Sequence, residues 1–288
     1  MLGVINVLKP TGWTSSDVVV KLRHILREYT GNKKIKVGHL GTLDPAGSGV
    51  LPVCFGSATK LFDYFVNMDK IYRATFCFGK TTDTLDSYGS VIGECDKIPT
   101  FDEIQSKIGM FLGEIMQLPP KYSRISVNGV RACDAIRAGK EIEIKPRKVT
   151  IYNISNLSVD DKILSLDIHC SGGTYIRSLC RDLAESVGSL AYMSSIIRLQ
   201  NKSFMIENAY TIDEILQNTK KCITNIEDLF IDMPKIDIDG TEKSKLLNGV
   251  KISKRNLDKD YIVRMDGQIF GICADGKDNL EVKVRLWN

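Results

Sequence analysis

Apolar positions open the chain as a run of strand length, Met1-Leu2-Gly3-Val4-Ile5-Asn6-Val7-Leu8, which predicts a first strand. Thr14-Ser15-Ser16-Asp17 then offers several N-caps before Val18, Leu22, Ile25 and Leu26 at helical spacing, so a helix is expected as far as Thr30-Gly31-Asn32. A short strand around residues 35–37 leads into a glycine-rich loop from Gly38 to Gly49, and Val50-Leu51-Pro52-Val53 opens the next apolar run. Residues 70–78 alternate as a strand, and another should follow the turn-rich stretch from Thr81 to Gly89.

Thr100-Phe101-Asp102-Glu103 is a capping box for a helix through Ile104, Ile108 and Phe111, and Gln117-Leu118-Pro119-Pro120 stops regular structure. Next are expected a strand with an Asn128-Gly129 turn, a short basic helix near 131–138, and strands at 147–158 and 162–170 joined at Asp160-Asp161. Gly172-Gly173-Thr174 precedes an amphipathic helix carrying Ile176, Leu179, Cys180 and Leu183, closed by Gly188. Residues 207–239, with eight acids against three lysines and a capping box at Thr211, read as a connection. Beyond Pro234, turn signals at Asn248-Gly249, Asp266-Gly267 and Asp275-Gly276 predict a small β-rich unit. The pattern is that of an α/β (α+β) protein with a large mixed, largely antiparallel sheet flanked by helices, divided into residues 1–233 and 234–288.

Composition narrows the class. The 288 residues are 43% hydrophobic and 26% charged, which excludes disorder, and no uncharged apolar run approaches the roughly 20 residues that span a bilayer. The opening run lacks a basic flank and meets Lys9-Pro10, so it reads as a strand and not a signal peptide, and a cytoplasmic protein without membrane contact is expected. The eight cysteines form no C-x-x-C pair and three histidines add no zinc spacing, so buried thiols are expected and neither a metal nor a disulfide scaffold is indicated. Charge is uneven. Residues 21–36 carry six Lys/Arg against one acid and residues 121–148 carry eight against three, in a chain whose net charge is only +4, so nucleic acid is the first partner to consider.

The loop Gly38-His39-Leu40-Gly41-Thr42-Leu43-Asp44-Pro45-Ala46-Gly47-Ser48-Gly49 permits close backbone approach, but it has no G-K-[S/T], no G-x-G-x-x-G and no G-x-S-x-G. By local sequence alone, Asp44 before Pro45 is a turn former and His39 a structural histidine.

The whole pattern resembles the TruB family of bacterial tRNA pseudouridine synthases. The residues that carry the resemblance are Asn6-x-x-Lys9-Pro10-x-Gly12-x-Thr14-Ser15, Gly38-His39-x-Gly41-Thr42-Leu43-Asp44-Pro45, Gly49-Val50-Leu51-Pro52 and Lys70-x-Tyr72. They continue in Gly79-x-x-Thr82-Asp83-Thr84-x-Asp86-x-x-Gly89, Gln117-x-Pro119-Pro120-x-Tyr122-Ser123 and the run from Cys170 to Leu179. The likeness covers residues 3–204, and the β-rich end looks like the small PUA-like barrel that such enzymes use to bind RNA. It implies isomerisation of one uridine, position 55 in the T-loop of tRNA, without cofactor or metal, by a monomer that needs no obligate protein partner and holds the T-arm.

The resemblance makes Asp44 the carboxylate that adds to the substrate and Arg177 its cationic partner, since a neighbouring guanidinium favours the ionised form a nucleophile requires. Tyr72 matches the tyrosine that stacks on the flipped base, Ile196 falls where a leucine usually lines the pocket, and His39 matches a residue near the extruded nucleotide. Lys9, Lys21, Lys60, Lys121 and Arg131 are the candidate phosphate contacts. The chain departs from the family pattern at Arg124-Ile125-Ser126, where Ser126 replaces a customary lysine, at Cys133 in place of a tyrosine, and at Lys202 in place of a glycine. An RNA-binding protein or tRNA folding chaperone with weak or lost catalysis is the alternative, and an enzyme acting on free nucleosides fits less well. Retention of Asp44, Tyr72 and Arg177 favours the enzyme, while both proposed routes, attack on the base or on the sugar, use the same aspartate.

Overall fold

The computed structural model describes residues 1–287 apart from 124, 128, 140 and 141, with the side chains of 126, 127, 131, 133 and 137 also outside the description. Strand β1 (Gly3–Lys9) runs into helix α1 (Ser15–Thr30), whose Thr14 cap and Asp17 form a capping box and which ends at Gly31 in the left-handed region (φ 68°). Strand β2 (Val37–His39) lies two residues later than the pattern predicts, because Ile35 N–H still bonds back to the Asn32 carbonyl in a turn. Strand β3 (Gly47–Phe55) also begins early, which shortens the glycine-rich loop to residues 40–46. After the short helix α2 (Phe62–Val66) come β4 (Lys70–Phe78), the hairpin β5 (Lys80–Thr82) and β6 (Val91–Glu94), and the capped helix α3 (Phe101–Ile108).

Strand β7 (Gly113–Gln117) is followed by the small hairpin β8 (Ser126–Val127) and β9 (Val130–Arg131), whose Asn128 lies outside the described residues, and by helix α4 (Ala132–Arg137). Strands β10 (Arg147–Asp160) and β11 (Ile163–Cys170) turn at Asp161, which takes φ 51°. Helix α5 (Ile176–Ser186) then leads to β12 (Ala191–Asn201) and β13 (Phe204–Met205). Among the described residues ten strands form one sheet, with β1, β3, β12, β4, β11, β10 and β7 side by side and β12 parallel to β3 but antiparallel to β4.

Period-two alternation gives this sheet two different faces. Ile5, Val7, Leu51, Val53, Phe55, Phe76 and Met193 turn to one face, where Val18, Leu22 and Leu26 of α1, Ile104 of α3 and Leu179 and Leu183 of α5 cover them in the main core. Val4, Val50 and Cys54 turn to the other face and pack with Phe65 and Phe204. Farther along, that second face carries the exposed Arg73, paired with Asp167, and the Thr75–Ser195 hydrogen bond.

The acidic stretch expected to be a connection is instead part of the first core. Helices α6 (Ile212–Gln217) and α7 (Thr219–Cys222) bury Ile215 and Cys222 there, strand β14 (Ile223–Thr224) pairs with β1, and Tyr210 bonds to Asn6 and Leu8. Its acids lie on the outside, so charge counting hid a buried apolar stripe. Helix α8 (Ile226–Leu229) adds Ile226 and Leu229 to the second core.

The C-terminal segment holds β15 (Lys235–Ile238), α9 (Gly240–Leu247), β16 (Tyr261–Met265), β17 (Gln268–Asp275) and β18 (Leu280–Arg285). The strands pair in chain order, β15 parallel to β16, as an open four-stranded sheet. Asp266 and Gly267 both take positive φ, as a two-residue hairpin turn requires, whereas Asn248-Gly249 ends α9. One side of this sheet has its own core around Tyr261, Val263 and Phe270, and the other lays Ile262, Ile272 and Leu286 against the second face of the large sheet. Cys54, Cys77, Cys170, Cys180, Cys222 and Cys273 are free and buried, as expected. No helix among the described residues is long and apolar enough to cross a membrane.

Candidate active site

Asp44 stands in the loop between β2 and β3, and that loop is irregular, so its carbonyls have no ladder partners. Buried cations supply donors in their place. Arg198 of β12, wholly buried, donates from Nε to the Val50 carbonyl at 2.6 Å, from Nη1 to Thr42 at 3.1 Å and from Nη2 to Gly41 at 3.2 Å. The equally buried Lys9 of β1 donates to the carbonyls of Gly47 and Pro10. Ser15, the first residue of α1, receives the Leu43 N–H at 2.9 Å and gives its hydroxyl proton to the Leu43 carbonyl at 2.8 Å. Gly49 lets β3 approach β12: at φ 103°, a Cβ there would lie 2.3 Å from the Arg198 carbonyl oxygen.

Held this way, the Asp44 carboxylate is 37% exposed and its Oδ2 lies 2.9 Å from Nη2 of Arg177, whose side chain is only 6% exposed. Arg177 sits in the first turn of α5, and Gln117 fixes the approach to that helix by bonding both backbone groups of Tyr175. The guanidinium also donates to the carbonyls of Thr84 at 2.9 Å and Tyr122 at 3.1 Å, and its Nη1 is 3.5 Å from Oδ2 of the buried Asp86. Arg177 is thus immobilised by partners from two loops, with one open carboxylate in front of it.

Tyr72 is the third residue of β4, opposite Ile168 on one side and Arg198 on the other. It is 7% exposed, its hydroxyl meets the Arg198 guanidinium, and burial pushes the phenol above its usual range. Lys70, at the start of the same strand, donates to the carbonyls of Val66 and Met68. Burial pulls the ammonium groups of both Lys9 and Lys70 down to about 8. Ile196 is opposite Gly47 in the sheet and packs beside Leu43, next to the Asp44 loop.

The structure therefore brings Asp44 and Arg177 into direct contact and sets Tyr72 and Ile196 beside their loop. His39 ends β2, half-buried, and borders a surface groove of about 340 Å³ with Val19, Val20, Arg23 and Phe62. Lys21 and Lys121 are exposed, whereas the side chain of Arg131 lies outside the described residues, as do Arg124 and the side chains of Ser126 and Cys133. Lys9 requires a correction: it has no exposed surface, so it holds the loop and makes no phosphate contact. Lys60 is exposed but donates to the Arg285 carbonyl at 2.8 Å, fastening the last strand of the C-terminal sheet to the helical turn after β3. At Lys202 the backbone is left-handed (φ 53°), which accounts for a glycine in the family pattern, and here the ammonium lies 5.1–5.5 Å from the rings of Tyr64, Phe65 and Phe230.

Arg198, Asp86 and Lys70 are the residues the sequence reading passed over. Asp86 and Lys70 belong to the family-like motifs, but an aspartate among threonines reads as a turn, and a lysine or a lone arginine in a strand reads as a solvent-facing position.

A sequence model described as TruB family pseudouridylate synthase (N terminal domain) matches residues 27–176. The chain is 44% identical over 255 residues to a protein of Clostridium perfringens named tRNA pseudouridine synthase B, covering 88% of this chain and 85% of that one. It is 40% identical over 294 residues to a protein of the same name from Clostridium kluyveri, with 100% of both chains covered. Its fold is similar to that of a chain in the crystal structure of a Cbf5-Nop10-Gar1 complex, with a TM-score of 0.73 at 22% identity over 99% of this chain and 85% of that chain. By sequence, and with a fold to match, the chain belongs to the TruB family of pseudouridylate synthases.

Proposed function

We propose that this enzyme converts uridine 55 in the T-loop of tRNA to pseudouridine, with Asp44 as the nucleophile. The observation that carries the reading is an open carboxylate salt-bridged to a buried guanidinium that two main-chain carbonyls also hold, in a chain whose full-length relatives are named tRNA pseudouridine synthase B. Isomerisation breaks the N1–C1′ bond, turns the base and joins C5 to C1′, while C5 loses a proton and N1 gains one. No atom enters or leaves, so neither redox nor group-transfer chemistry has to be supplied. What the protein must provide is an ionised oxygen that bonds transiently to the substrate, and Arg177 holds Asp44 aimed for that step.

A uridine within the T-loop has to leave its stack to reach Asp44. Tyr72 and Ile196 form the apolar wall for the extruded base, and His39 marks the edge of its path. Lys21, Lys121 and Arg131 hold phosphates of the T-arm, with the C-terminal sheet from residue 234 onward as a second RNA-binding surface. The enzyme works as a monomer on tRNA in the cytoplasm, without a metal or cofactor. Incubation with an unmodified tRNA transcript, followed by mapping of pseudouridine, should place the modification at position 55. Modification elsewhere, or none, would refute the assignment.

A further inference from the structure

Trp13 is one of two tryptophans in the chain and is 36% exposed, whereas Trp287 packs against the C-terminal core. Its position is fixed by what flanks it. The Gly12 N–H donates to the Pro45 carbonyl at 2.9 Å, and Ser15 engages both backbone groups of Leu43. The residues before and after Trp13 are thereby bonded to the residues on either side of Asp44. The capping box at Thr14 and Asp17 stiffens the same turn. An indole left partly in water, on a turn tied to the Asp44 loop, is poorly used as core and offers a π-face on which a base can stack.

We propose that Trp13 stacks on a nucleobase adjacent to the uridine that enters at Asp44, steadying the strand while that uridine turns outward. This rests on the reading of the site as one for uridine isomerisation in RNA. Stacking recognises any base, so Trp13 adds hold without base selectivity, and it touches no reacting bond. Its loss should therefore raise KM and leave the rate at saturating tRNA nearly unchanged.

The test uses the full chain with Trp287→Phe, which leaves Trp13 as the sole indole, and follows its emission as tRNA transcript is added, with filter retention of tRNA measured on the same samples. Stacking should quench Trp13 emission in parallel with retention. Trp13→Ala should raise KM by about 5- to 150-fold, the range a stacked base supplies, and Trp13→Phe should recover most of that loss. Retained tRNA with unchanged Trp13 emission would overturn the stacking role, as would a parental KM for Trp13→Ala. A KM rise shared equally by Trp13→Phe would make Trp13 a structural residue. Failure of the parent chain to retain tRNA would instead overturn the RNA-directed reading beneath it.

Discussion

The Asp44 loop and the C-terminal sheet satisfy their backbones by opposite means. Around Asp44, the loop carbonyls of Gly41 and Thr42 and the flanking β3 carbonyls of Gly47 and Val50 are met by cations buried in the protein, Arg198 and Lys9. In the C-terminal sheet the strands pair with one another, and the bend before β16 is gathered by a carboxylate, Asp275, which accepts from the N–H groups of Arg255 and Leu257 and from the Tyr261 hydroxyl. Its ion pairs, such as Arg264–Asp237 and Arg255–Glu242, lie at or near the surface. The loop that carries the open Asp44 carboxylate forms no strand, so buried side chains supply donors to its carbonyls. A sheet that only presents a surface is largely self-sufficient.

The strongest way to break this contrast is Arg198→Met, which strips donors from Gly41, Thr42 and Val50. We expect a loss of roughly 3 kcal/mol in denaturant unfolding, because each unsatisfied carbonyl costs about 1–3 kcal/mol and relief of the arginine's own desolvation returns part of that. Single-turnover isomerisation should collapse with it. A variant with parental stability and rate would show that the loop holds itself.

The two buried lysines sharpen the comparison through pH. With pKa values brought down to about 8, Lys9 and Lys70 lose their protons in the folded chain while the unfolded chain keeps them up to the ordinary value of 10.5. The unfolded state therefore binds more protons between pH 8 and 10.5, and the stability these two residues contribute should rise across that window. Denaturant unfolding of the parent and of the Lys9→Met, Lys70→Met double variant checks the sign. Their difference should move in favour of the parent as pH increases, and a flat difference would contradict the burial of these charges.

The smallest effect is expected in the C-terminal sheet. Arg264→Gln removes ion pairs with Asp237 and, at 3.7 Å, Glu227, both at or near the surface, and the thermal midpoint should change little from that of the parent. A large drop would show that this unit, too, depends on charge.

What could be read from the sequence was whatever is local. The capping boxes at Thr14, Thr100 and Thr211 and the alternation of β4 lie where short-range pattern places them. Strand β12, central to the sheet and to the site, gave no such signal. Its Tyr192, Ser194, Ser195 and Arg198 interrupt the apolar pattern, and register shifts between Met193 and Ser195 and between Arg198 and Gln200 break the period of two. Strand β7 escaped for a related reason, since its exposed Glu114 and Met116 mark an edge. The pairing of Asp44 with Arg177 was legible only through family resemblance, because the two meet by tertiary folding and not by spacing. The role of Arg198 was not legible at all, since its partners are main-chain carbonyls that carry no sequence signature.

Asp44, held against Arg177, is the proposed reacting group. Asp44→Asn keeps the size of the side chain and removes the oxygen that must bond to the substrate. Single-turnover assays of this variant on unmodified tRNA transcript, with filter binding alongside, test the claim directly. Asp44→Asn should retain tRNA as the parent does and form no pseudouridine at position 55. Substantial conversion by Asp44→Asn would contradict that role.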